Sequence, residues 1–195
     1  MDRDGFWTLI EAARAAGGGD CRQQTAHLVA ALRQRPVDDI LALDRILYEL
    51  LAKSYRWDLW GAAYLINGGC SDDGFDYFRG WLLAQGPATW EAAVRDPDSL
   101  AAHPQIRAPD QQAGWEGSLW CEPILYLADD AYQAVTGQEL PADVAEVAAV
   151  EPEYSMGEDW DFDDNDEMRR RYPKLWAQIG WGDSASHDHG SRPPA

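Results

Sequence analysis

Cysteine is scarce in this chain: three in 195 residues, at positions 21, 70 and 121. The number is odd, the spacing is wide, and no Cys-x-x-Cys or Cys/His cluster occurs. A zinc site of ordinary spacing is therefore excluded, and three free thiols in a reducing cytosol are expected. Basic residues are also few. Sixteen Lys and Arg stand against 34 Asp and Glu, for a net charge of −18. Such a surface repels phosphate backbones and anionic leaflets, which excludes nucleic acid and membrane as direct partners. No apolar run approaches the roughly 18 residues of a membrane span. The first residues, MDRDGFWTLI, are charged and hold no apolar signal core, so a cytoplasmic location is expected. Catalytic signatures are missing as well. There is no GxGxxG before a helix, no Walker A sequence, no HExxH and no GxSxG. No catalytic residue and no cofactor are assigned.

What the chain has in excess is tryptophan and tyrosine, ten and eight residues. Each such ring buries a large area and anchors cores and interfaces. With 46% hydrophobic residues the chain can build one core without disulfides or metal.

No stretch alternates as a strand does, whereas helical periodicity recurs. Phe6, Trp7, Leu9, Ile10 and Ala13 share one face, ended by Gly17-Gly18-Gly19. Asp20 is placed to cap a second helix carrying Ala26, Leu28, Val29 and Leu32. Pro36 opens a third, where its missing N–H costs nothing. Val37, Ile40, Leu41, Asp44, Leu47, Leu50 and Leu51 then follow the 3.6 period. A fourth helix over about 58–66 stops at Gly68-Gly69. Ser71 or Asp72 caps a fifth, with Phe75, Phe78, Trp81 and Leu82, ending at Gly86. Pro87 opens a short sixth helix with Trp90 and Val94, and Asp96-Pro97-Asp98-Ser99 forms a turn and cap. Residues 108–117 read as a loop and 122–136 as a helix closed by Gly137. Glu49 and Glu122 fall within apolar helices and are candidate buried acids, though placement on the helix surface is commoner.

From 139 to 167 the composition changes to twelve acidic residues with no Lys or Arg. Residues 141–149 suggest a short helix, and Asp164 with Glu167 has the spacing of a capping box before Arg169-Arg170-Arg171. Pro173 interrupts, and 174–179 continue as a last helical turn. The expected architecture is all-α: a compact multi-helix domain of short helices over 1–137, an acidic extension packing on it over 138–181, and a disordered tail over 182–195.

Two constellations could carry chemistry. In the stretch from Trp57 to Trp81, Ser71, Asp72, Asp73 and Arg79 lie among the indoles of Trp57, Trp60 and Trp81. Aromatic walls with a few polar groups are what a small-molecule pocket looks like. The competing account makes Ser71 and Asp72 caps for the helix that follows. Cys70 as a nucleophile would need a base, and His27 and His103 are the only histidines outside the tail. The second constellation is acidic. Asp161, Asp163 and Asn165 match the first ligand positions of an EF-hand loop, but Asp166 stands where Gly is needed and Tyr172 where Glu is needed. A frame beginning at Asp159 fails likewise, with Asp164 at six and Arg170 at twelve. An irregular Ca²⁺ or Mg²⁺ site at Asp161, Asp163 and Asp164 stays open. So does a packing role, in which Trp160 and Phe162 dock on the core while the acids face water. His187 and His189 in the tail are at best a weak metal scavenger.

The segments DGFWTLIEAAR, GGCSDDGFDYFRGWL, DPDSLA and WDFDD…EMRRRYPKLW together resemble a bacterial family known as domain of unknown function 4240. The central motif falls on Gly68, Gly69, Ser71, Asp72, Asp73, Gly74, Phe75, Phe78, Arg79 and Trp81. The resemblance covers about residues 1–130, with the WDFDD/EMRRR segment as a recurrent extension. It implies kinship with proteins common in actinobacteria, some joined to a WGR domain. It implies no activity and no catalytic residue.

Three functional readings follow. The first is a protein-binding or regulatory module, monomeric or weakly dimeric, with a protein partner. The second is a small-molecule-binding protein or enzyme with its pocket around Trp57–Trp81. The third is an acidic immunity- or antitoxin-like inhibitor that masks a basic partner with the face built from 139–167.

Overall fold

A computed structural model describes residues 1–107, 119–141 and 155–179. Among these the chain is helical and holds no strand. Helix α1 spans Arg3–Gly17, α2 Cys21–Leu32, α3 Val37–Ser54, α4 Trp57–Asn67, α5 Asp72–Ala84 and α6 Pro87–Arg95. A 3-10 turn, Pro97–Ala102, leads to the short α7, Pro104–Arg107. A second 3-10 turn, Glu122–Tyr126, runs into α8, Leu127–Thr136. The arm beyond carries α9, Asn165–Arg171, and α10, Pro173–Ile179. The loop expected over 108–117, nearly all of the helix over 141–149 and the tail from 182 lie outside the described residues.

The helix starts follow side chains that replace missing intrahelical bonds. Asp20 accepts from the Gln23 amide and Ser71 from the Gly74 amide. Asp164 accepts from the amides of Asp166 and Glu167. The reciprocal half of the expected capping box does not form. The Glu167 carboxylate turns away to Arg170 and Arg171, whose two guanidinium groups outbid one backbone N–H. Gly68 ends α4 at φ 73°, a left-handed conformation costly for any side chain.

The core is built from one face of each helix: Phe6 and Ile10 of α1, Leu28 and Leu32 of α2, Leu43, Leu47 and Leu50 of α3, Phe75, Phe78 and Leu82 of α5. In α2 the buried set also includes Gln24, whose amide donates to the Ala84 carbonyl at 2.9 Å, while the expected Ala26 faces out. Helix α5 is the centre of the packing. A Cβ at Gly80 would lie 2.4 Å from the Cys121 carbonyl oxygen, so only glycine lets the segment before Glu122 pass there. That segment is held by the Cys121 amide donating to the Tyr77 carbonyl.

The three cysteines are not all free. Cys21 and Cys121 form a disulfide across a sequence separation of 100, with Cα atoms 5.6 Å apart, and Cys70 alone is a thiol. Spacing along the chain could not reveal a pair that only the docking of α2 against the Cys121 segment brings together. Closing a loop of that length stabilises by about 4–5 kcal/mol in the chain-entropy account. The step from free thiols to a reducing cytosol therefore loses its basis. No helix among the described residues is long and apolar enough to cross a membrane.

The arm docks on the outer face of α4. Leu59, Ala62, Ala63 and Leu65 of that helix point into the core, and Trp57, Trp60, Gly61 and Tyr64 receive the arm. Phe162 lies 5.0 Å from the Trp57 ring and 5.4 Å from Tyr64. A Cβ at Gly61 would meet the Tyr172 hydroxyl at 2.5 Å and the Trp160 ring at 2.8 Å, so the bare backbone is the seat for both rings. Polar bonds fix the register. The Trp57 amide donates to Met156 O at 2.8 Å and its indole to Trp160 O at 3.2 Å. The Tyr172 hydroxyl donates to Asp58 O. Asp98, only 5% exposed, accepts from the amides of Lys174 and Leu175 and so caps α10 from a different part of the chain. Met168, Tyr172, Leu175 and Trp176 are buried, each worth roughly 1.5–3 kcal/mol before ordering entropy is subtracted.

Candidate functional site

The residues expected to line a pocket are each committed to packing or capping. Ser71 is the N-cap of α5, and Asp72 and Asp73 sit exposed in its first turn, where their charge favours the helix dipole. Trp60 stacks on Phe75 at 4.9 Å and donates to the Cys70 carbonyl. Trp57 meets the arm. Trp81 is 4% exposed and donates to the Gln105 side chain at 3.1 Å. Arg79 is 8% exposed; it donates to the Leu51 carbonyl at 2.6 Å, pairs with Asp76, and lies over the Tyr55 and Phe75 rings. Burial lowers its pKa while the Asp76 bond opposes that. The structure brings Trp60, Phe75 and Arg79 together, and directs Asp72 and Asp73 elsewhere.

Cys70 is pushed up to about 12, first by burial and then by the Asp76 charge, so the thiol stays protonated and is a poor nucleophile. His27 is exposed, and His103 packs edge-on against Trp81 with its pKa lowered by burial. Glu49 and Glu122 are exposed rather than buried, because both fall on the outer sides of their helices. The half-buried acid is Asp44, with one oxygen lacking a partner among the described residues and its pKa raised by desolvation and by Asp129.

Of the acidic set, Asp161 accepts from the Asp163 amide, Asp163 accepts from the Tyr64 hydroxyl at 2.7 Å, and Asp164 caps α9. The three carboxylates are spread over a turn, and no group of three or more His, Cys, Asp or Glu among the described residues is placed to hold a metal ion. Trp160 and Phe162 do dock while the acids face outward.

The concave surface lies elsewhere, along α3 and α6, with the arm on one side and α1 on the other. One cavity of about 360 Å³ sits on the seam, between Lys53, Arg56, Asp58 and Val94 of the helical body and Met156, Glu158, Trp160 and Arg171 of the arm. A neighbouring one of about 430 Å³ is lined by Arg3, Trp7, Leu50, Trp90, Glu91 and Arg95. Lys53, Arg56 and Val94 line both, so the two chambers share a wall. Both volumes fall in the range of small-molecule sites, roughly 300–1,000 Å³.

The charge there runs against the rest of the molecule. Arg3, Lys53, Arg56, Arg95 and Arg171 line the two chambers, against Asp58, Glu91 and Glu158. Some of these cations are already matched. Arg56 pairs with Asp58 and donates to the Val94 carbonyl at 2.8 Å. Arg171 stacks 3.8 Å over Trp160 and pairs with Glu158 and Glu167. Arg3 has an exposed contact to Glu49 at 3.3 Å. Lys53 and Arg95 have no carboxylate within salt-bridge distance among the described residues; the Lys53 ammonium rests 5.7 Å from the Trp90 ring. The Trp90 indole N–H is buried without a partner among the described residues. Sequence reading missed this site because its cations come from positions 3, 53, 56, 95 and 171, with no shared spacing. The only available signal was that Lys and Arg are rare enough here for each to be worth tracing.

Comparison with known proteins adds one finding. The model of the family described as Protein of unknown function (DUF4240) matches residues 1–134. No curated protein and no solved structure matches the chain.

Proposed function

This chain belongs to the DUF4240 family, a membership that brings no activity with it, and on that premise we propose that it is a regulatory binding module whose ligand sits in the cationic cleft between the helical body and the arm. The observation that carries this reading is the pair of cations, Lys53 and Arg95, that have no carboxylate partner among the described residues, in a concave aromatic-walled site on a chain of net charge −18. Selective retention of positive charge in one hollow favours an anionic small molecule, because the surrounding acidic surface repels large polyanions. A binding role is favoured over catalysis by the lining itself: among the described residues it holds no Cys or His, and its one serine, Ser155, has no histidine beside it in the lining. The arm contributes one wall, so a ligand that bridges the seam stabilises the docked arm by mass action. That link is what makes the module regulatory.

The test is a thermal-shift screen of the whole chain against anionic, neutral and cationic metabolites. Stabilisation confined to anions, and absent from a Lys53→Met, Arg95→Met double variant, supports the cleft. Hits that ignore this variant, or no hits, remove it. A protein partner is the second reading, on the exposed side chains of Tyr48, Trp120, Tyr126 and Val135. The third, an acidic inhibitor, depends on a face over 139–167, of which 142–154 lie outside the described residues. On compartment, the disulfide favours an oxidising environment over the expected cytosol.

A further inference from the structure

The two chambers are unequal in charge, and that inequality names a ligand class. In the seam chamber the charges are largely matched, since Arg56 faces Asp58 and Arg171 faces Glu158. Its remaining walls are Lys53, Val94, Ser155, Met156, Gly157 and Trp160. In the chamber between α1, α3 and α6, Arg3, Lys53 and Arg95 stand against the single carboxylate of Glu91. The Trp90 ring forms part of the wall, with its indole N–H buried behind the surface and without a partner among the described residues. One chamber thus offers excess positive charge with spare donors, and the adjoining one offers a nearly neutral hollow.

We infer that the cleft binds a phosphate monoester, with the phosphoryl group among Arg3, Lys53 and Arg95 and the organic body reaching past Lys53 and Val94 into the seam chamber. A doubly charged phosphoryl group with three terminal oxygens carries more charge and more acceptor sites than a single carboxylate, and so gains more from several cations at once. The acidic shell excludes nucleic acids, so the phosphoryl source is a free metabolite and the body is limited to what the seam chamber admits. This inference rests on the cleft reading above, and it adds which anion the cleft prefers and which way round it lies.

The experiment is isothermal titration of the full chain, at fixed ionic strength, with phenyl phosphate, inorganic phosphate, benzoate and phenol. Phenyl phosphate should bind at least tenfold more tightly than inorganic phosphate, and benzoate and phenol at least tenfold more weakly than phenyl phosphate. Lys53→Met or Arg95→Met should weaken phenyl phosphate at least tenfold with melting nearly unchanged; Arg95 is exposed on α6, so its variant remains informative if Lys53→Met perturbs the packing on Trp90. Met156→Ala should weaken phenyl phosphate while sparing inorganic phosphate, because Met156 lines the seam chamber and not the other. If both phosphates fail to bind, or bind equally well to the Met variants, the inference is overturned. If benzoate or another carboxylate binds through Lys53 and Arg95 while phosphates do not, the cleft survives as an anion site and the phosphoryl assignment falls.

Discussion

The stretch from Trp57 to Trp81 and the cleft at Lys53 and Arg95 sit on neighbouring elements and teach opposite lessons. In the first, motif density is high, and Ser71, Trp60 and Arg79 are taken up by capping and packing, with the Arg79 Nε without a partner among the described residues and Asp72 and Asp73 facing solvent. Arg79 is spent on Leu51 and Asp76, the Trp60 indole on Cys70, and Ser71 on the amide of Gly74. In the second there is no motif at all, yet two cations and an indole N–H are without partners among the described residues. A conspicuous local pattern marks a place where the chain must pack closely. Spare interaction capacity in a hollow marks a place where something else is to be bound.

The comparison can be broken from either side. The largest effect is expected at the aromatic region. Phe75→Ala empties a fully buried site stacked under Trp60 and should cost roughly 3–5 kcal/mol in urea unfolding. A loss under about 1 kcal/mol would mean that the region is not core. Next comes the capping carboxylate that ties the arm down. Asp98→Ala leaves the amides of Lys174 and Leu175 without their acceptor and should cost roughly 1–3 kcal/mol, read by unfolding and by faster hydrogen exchange at those two amides. Unchanged exchange there would show that the arm is held without it.

Acid should weaken the arm in a defined window. Arg170 and Arg171 hold the Glu167 carboxyl at about 2, below its ordinary 4.5. The charged form is favoured by folding, so the stabilisation is full above about 4.5 and is lost as pH falls towards 2. Glu167→Gln should flatten that part of a pH–melting curve and leave neutral pH little changed, and an identical acid slope in both proteins would remove the assignment. The smallest effect belongs to the cleft. Lys53→Met keeps the stem over Trp90 and should alter stability by no more than about 0.5 kcal/mol, whereas a residue holding the fold together would cost more.

Much of the local structure was legible in the residues. Asp20, Ser71 and Asp164 cap where their side chains and spacing said they would, Pro36 and Pro87 stand at helix starts, and Gly68 and Gly137 at helix ends. These features act within one turn, so a short window contains their cause. What a short window leaves open has a different trait. Glu49 and Glu122 sit among apolar residues in sequence, and whether they are buried or, as commoner, on the surface depends on which way each helix is turned in the fold; both are exposed. Asp98 was read as part of a turn, and its second duty, capping a helix 76 residues away, has no sequence mark.

What the sequence by itself determined is an all-helical chain, its helix ends, its aromatic anchors and its acidic surface, together with its place in the family, because these follow from periodicity, caps, composition and a long motif. The tertiary structure decided the rest. The Cys21–Cys121 bond, the seating of the arm on Gly61 and the cleft that draws cations from positions 3 to 171 exist only once distant segments are packed together. The physical reason is range: hydrogen-bonded turns and caps are settled by neighbours in the chain, whereas disulfides, docking seats and ligand sites are settled by neighbours in space.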